Sequence, residues 1–142
     1  MTVNGEVHCT MKLAHQTKTC ALFQELMKEQ MVAEYLQELK FKSDTLHKHS
    51  INVCLLSVDI AISKGITNHN TLKTIALAGL YHEIGILHLD ADIFSKESFT
   101  KEEAYKIKEC PRRGFLSLQY LKMPFIAKIV IAHYEFFSVE KY

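Results

Sequence analysis

At 142 residues the chain is long enough for one domain with a substantial core, and its 17 basic and 16 acidic side chains leave a formal charge of +1. So even a balance excludes binding driven by bulk positive charge, and no run reaches ~18 uninterrupted apolar residues, so neither direct DNA binding nor a membrane association is expected. Cys9, Cys20, Cys54 and Cys110 are scattered without a Cys-x-x-Cys pair, and the opening stretch MTVNGEVHCTMKLAH carries no apolar h-region, which together predict a reduced, cytoplasmic setting.

Residues 1 to about 15 have no clear period and read as a loose lead-in. From Thr17 the apolar positions Leu22, Leu26, Val32, Leu36 and Leu39 recur against Gln24, Lys28, Glu29, Glu34 and Lys40, which predicts one long amphipathic helix to about Phe41. A helix of that length serves either as a packed bundle helix or as a connector that pairs with a copy of itself. Ser43-Asp44 carries N-cap chemistry for a second helix, with Leu46, Val53, Leu56 and Ile60 facing inward until Gly65 ends it. After a Thr- and Asn-rich loop a third helix begins near Thr71. Its apolar stretch Leu72 to Asp90 holds the polar pair His82-Glu83 in its middle. A polar pair inside an oily helix is costly unless a metal ion or an oppositely charged partner compensates it.

His88 to Ser98 reads as an irregular loop. Thr100 and Glu103 then form a capping box, with Phe99 placed as its staple, and the helix they open is expected to stop before Pro111. A fifth helix follows over about Arg112 to Lys122, and Pro124 opens a sixth to about Ser138. With no period-2 run and no internal repeat, the expectation is an all-α bundle of about six helices.

Four fragments also match one family in order and spacing: Leu46-x-x-His49-Ser50-x-x-Val53, Ala78-x-x-Tyr81-His82-Glu83-Ile84-Gly85, the run from Phe99 through Pro111 to Gly114, and Ile131-Ala132-His133-Tyr134-Glu135. Together they resemble the HD-GYP subgroup of the HD-domain metal-dependent phosphohydrolases. The resemblance covers about residues 44 to 142, which divides the chain into an N-terminal lead-in with its amphipathic helix over 1–43 and a degenerate HD-like helical domain over 44–142. It implies a bundle whose core holds divalent metal, iron, manganese or zinc, and whose activity is hydrolysis of a phosphodiester such as a cyclic dinucleotide.

Carried over by position, the resemblance makes His49, His82, Glu83, Cys110 and His133 the candidate metal ligands. Glu83 stands where the family has Asp, Cys110 where it has a His, Tyr134 where it has a second His, and Ile86 where it has the Lys that touches substrate phosphate. Ser138 to Tyr142 retains only the Tyr of the family's Asp-Gly-x-Gly-Tyr-Pro stretch. Each candidate also has a plainer reading: Glu83 as a salt-bridge partner of a nearby Lys or Arg, Cys110 as a small buried hydrophobe, and Tyr134, Phe136 and Phe137 as core or interface aromatics. Arg112 and Arg113 read either as a phosphate-holding pair or as ordinary surface arginines.

Two functions follow from the resemblance and its departures. The first is a non-catalytic regulatory or protein-interaction module in nucleotide signalling, with a protein partner or a second copy seated on the apolar face of helix six at Phe125, Ile129, Phe136 and Phe137. The second is a metal-dependent phosphohydrolase or phosphodiesterase with an altered, single-metal site acting on a cyclic dinucleotide or another nucleotide.

Overall fold

The structure is a computed structural model that describes residues 13–139, with side chains described over 16–133. The described chain forms six helices and two 3-10 turns: α1 (Leu13–Met27), α2 (Gln30–Lys42), α3 (Asp44–Ser63), α4 (His69–Tyr81), 3-10 turns over Ile84–His88 and Ala91–Ser95, α5 (Lys101–Tyr120) and α6 (Pro124–Val139). The all-α bundle expected from the sequence is therefore the observed architecture.

The N-terminal amphipathic stretch is two helices rather than one, beginning at Leu13 and breaking at Lys28-Glu29. Its buried positions explain the break. Leu22, Phe23 and Leu26 on α1 and Val32, Tyr35, Leu36 and Leu39 on α2 are all core residues. At about 100° per residue, one straight helix would aim those two sets more than about 90° apart. The turn re-aims the second set, and both helices then pack on α3.

Helix ends follow local chemistry where it is strong. Ser43 Oγ accepts from the Leu46 amide at 3.2 Å to open α3, and Asn68 Oδ1 accepts from the Thr71 amide at 3.0 Å to open α4 two residues ahead of its expected start. α3 runs out at Ser63, followed by Gly65 with φ of 86°. The capping box is complete, Thr100 Oγ1 accepting from the Glu103 amide and Glu103 Oε2 from the Thr100 amide. The stretch expected to be an irregular loop contains the second 3-10 turn, whose Ile93 is buried.

Two other boundaries differ from expectation. Pro111 does not divide α5, which is continuous from Lys101 to Tyr120. A proline inside a helix costs roughly 3 kcal/mol. Burial of Cys110, Gly114 and Leu118 along one face of α5 outweighs that cost. α4, in turn, ends at Tyr81 instead of running through to Asp90, so His82 is its C-cap and Glu83 lies in the link to the first 3-10 turn. Lys42 at the end of α2 donates to the Leu89 carbonyl at 2.6 Å, closing that turn onto the N-terminal helices.

The 3-10 turn can lie flat on α5 because residue 85 is glycine. A Cβ there would sit 1.9 Å from the Cys110 carbonyl oxygen and 3.1 Å from the Gly114 amide nitrogen, both backbone atoms that cannot move aside. Gly85→Ala is accordingly expected to destabilise the fold by about 3 kcal/mol or more, read by urea denaturation. A loss below about 1 kcal/mol would mean that the crossing relaxes freely.

Candidate metal centre

α3 and α4 run antiparallel, Cys54 lying against Gly79 and His49 against His82. A Cβ on Gly79 would come within 2.8 Å of the Cys54 Cα, so this crossing also depends on a missing side chain. The approach sets His49, in the second turn of α3, opposite the C-cap of α4. Their Nε2 atoms are 3.1 Å apart.

Termination of α4 at His82 decides how that ring is held. The last carbonyls of a helix lack amide partners, and His82 Nδ1 lies 2.6 Å from one of them, the carbonyl of Gly79. A carbonyl can only accept, so Nδ1 carries the proton and Nε2 presents its lone pair toward His49. Ligating histidines are held in this way, the second nitrogen donating to a backbone carbonyl and fixing tautomer and ring plane.

Glu83 follows directly, its Oε1 3.6 Å from His82 Nε2. Ligating atoms of His49, His82 and Glu83 all lie within 4.8 Å of one another. Ligand bonds of about 2.0–2.1 Å meeting at roughly 90–110° place neighbouring donor atoms about 2.9–3.4 Å apart. The His49–His82 separation falls inside that range and the His82–Glu83 separation just beyond it. Two imidazoles and a carboxylate suit zinc, iron or manganese, so the residues present fit a divalent cation.

His133 on α6 stands at the edge of this group. Its ring meets that of His82 edge-to-face, with centroids 5.5 Å apart and an interplanar angle of 87°. Three of the histidines singled out in the sequence thus converge from three helices. Cys110 is not among the clustered ligating atoms. Its buried thiol faces the Lys106 carbonyl at 3.5 Å as a donor, and burial, reinforced by the Glu83 carboxylate, pushes its pKa up to about 11. In this state the thiol packs as a small buried hydrophobe.

Other candidates separate by environment. Arg112 lies 3.7 Å from Glu109 on the exposed face of α5, His69 pairs with Glu25 at 3.2 Å, and His88 meets Ser117 Oγ at 3.2 Å. The side chains of Tyr134, Phe136 and Phe137, and the stretch 1–12, lie outside the described residues. Ile86 is buried in the core, so its position offers the site no polar group. Beside the cluster opens a cavity of ≈310 Å³, with Val53, Ile75 and Ile129 among its walls and His49, His82 and His133 at its polar end. Gly79 is the site residue that motif matching missed. The signal for it was a glycine three residues before a helix-terminal histidine.

Burial is the largest influence on His82 and holds its pKa below the ordinary histidine value, outweighing the Gly79 carbonyl and Glu83, which favour the charged ring; His49 and His133 add to the depression. His47, on the core side of α3, is also depressed, by burial first and by Lys40 next. Both rings therefore take up a proton less readily in the fold than in the unfolded chain, which protonates near about 6.5. The unfolded state therefore binds more protons below that value. Chelator-treated protein should keep its full stability above about pH 6.5 and lose it progressively as the pH falls through that value toward the lower folded pKa values. Melting curves between pH 7.5 and 5 test this, and a flat profile would contradict it. Comparison with protein-family models, with curated proteins and with solved structures returns no match, so the chemistry of these side chains is the guide to what the site does.

Proposed function

We propose that the chain is an HD-type helical domain of the HD-GYP kind that holds one divalent cation at His49, His82 and Glu83 and acts as a regulatory or protein-interaction module in nucleotide signalling. The observation that carries the non-catalytic half is the lining of the cavity. Among its described residues, only the histidines at one end are ionisable, and the remaining walls are apolar or small. Phosphodiester cleavage needs positive charge aimed at the phosphoryl oxygens as well as an activated water. A bound cation would supply Lewis-acid charge and a more acidic water. The second charge has no source at residue 86, where an isoleucine is packed into the core.

The protein's own residues are well arranged to bind. The Gly79 carbonyl holds the His82 ring, α3 delivers His49 to the same point, and the surrounding apolar walls limit competition from water. Because His82 must stay deprotonated at Nε2 to ligate, cation affinity falls as the pH is lowered.

The second reading, a phosphohydrolase with a single-metal site, is favoured by one feature: the cluster faces an open cavity rather than being sealed in the core. The module reading also includes self-association through α6, where Phe125 and Ile129 lie one turn apart and are exposed.

Metal analysis after reconstitution with zinc, manganese or iron should find about one equivalent per chain, lost in His82→Ala. No equivalent with any of the three would remove the site. The loaded protein should leave cyclic dinucleotides and model phosphodiesters intact, whereas turnover abolished by His82→Ala would establish the phosphohydrolase instead. Light scattering should detect a dimer at high concentration that Ile129→Glu disperses; a strict monomer would refute the α6 interface.

A further inference from the structure

A second cavity of ≈310 Å³ opens between α1, α3 and α4. It lies at the other end of the α3–α4 pair from the histidine cluster, among the last turns of α3 and the first turn of α4. Leu22 and Val58, both core residues, form its floor, and the half-buried Ile62 and Leu72 its walls. A further wall comes from the way α3 ends. Gly65, with φ of 86°, turns the chain back so that the Ile66 amide donates to the Ala61 carbonyl at 3.0 Å, which closes the helix and sets Ile66 at the cavity.

Close packing leaves few voids larger than a water molecule in a protein interior. An apolar-walled cleft is the common form of a small-molecule site, and this one stands at the lower end of the usual range of about 300–1,000 Å³. A dry hole of about 150 Å³ takes benzene, so the space suits one ring or branched chain with several further atoms.

The mouth is polar. Lys18 and Glu25 line it from α1, and His69 lines it from α4. Residues 18 and 25 are seven apart in the helix, which puts them on one face about two turns from each other. His69 Nε2 lies 3.2 Å from Glu25 Oε1, an ion pair that links α4 to α1 at the mouth and leaves the second carboxylate oxygen able to accept. A cation and a restrained anion therefore stand over an apolar floor. The complement of that set is a molecule with a carboxylate, an ammonium and an apolar side chain.

We propose that this cavity binds a free α-amino acid with a large apolar side chain. The side chain rests on Leu22 and Val58, the carboxylate meets the Lys18 ammonium, and the ammonium meets Glu25. Burial of the side chain supplies affinity, and the two charge-assisted contacts fix orientation. The site needs no metal, so it stands independently of the cation site, while sharing with it the helices that carry His49 and His82.

Calorimetric titration of the metal-free full chain with L-leucine, L-phenylalanine and L-tryptophan tests the proposal. The tightest of the three should bind at least about fivefold better than its analogue lacking the ammonium and its analogue lacking the carboxylate. Glu25→Gln should erase the advantage over the first analogue, and Lys18→Gln the advantage over the second. Ala21→Trp, at an exposed position lining the cavity, should block binding with the melting temperature unchanged. Equal binding of the carboxylic acid or of the amine would assign the cavity to that class and overturn the amino acid. Failure of all three amino acids to bind, or binding that Ala21→Trp leaves intact, would overturn it as well. With metal absent throughout, none of these results depends on the cation site.

Discussion

The approach of α4 to α3 at Gly79 is the constraint on which the remaining structure depends. The missing Cβ lets two helical backbones come closer than any side chain would allow, and the same residue offers the carbonyl that holds the His82 ring. Packing and chemistry thus share one residue. Were the helices levered apart there, the 3.1 Å separation of the His49 and His82 nitrogens would open by a comparable amount. Ligand spacing that exceeds the range set by metal–nitrogen bonds no longer forms a site.

A second glycine does equivalent work on the other side. Gly85 brings the 3-10 turn directly onto the backbone of α5 between Cys110 and Gly114. α5 in turn carries α6, which packs on α4 and presents His133 to the His82 ring. The third histidine is therefore placed indirectly, through two helices and a close backbone contact. This arrangement explains why a proline inside α5 is tolerated: the helix is held along a face that Pro111 does not break, with Cys110 and Gly114 packed on the turn and Leu118 buried a turn further on.

Where local chemistry and side-chain period agreed, the sequence was readable. The caps of α3 and α5, the start of α6 at Pro124 and the all-α class followed from single residues whose preferences nothing opposes. The break between α1 and α2 was encoded as well, in the six-residue step from Leu26 to Val32 that rotates the apolar stripe, yet a helix-favouring composition masks such a signal. The end of α4 was not legible, because Ile84, Ile86 and Leu87 continue the apolar run and only tertiary contact with α5 turns it into 3-10 geometry. For the site, the motif singled out His49, His82 and Glu83, whose ligating atoms lie together. It also singled out Cys110, whose thiol faces a helix carbonyl, because position in a motif carries no information about which way a side chain points.

Burial decides the direction of two side chains near the cluster. Ile86 is drawn into the core, and the turn carrying it is tied down by the Lys42 bond to Leu89. The Cys110 thiol is likewise turned inward, toward the Lys106 carbonyl. Both side chains add apolar surface to the core, whereas the histidine pair and its carbonyl anchor have a geometry suited to a cation. With Ile86 and Cys110 both buried, the donor atoms that cluster at the end of α4 are those of His49, His82 and Glu83.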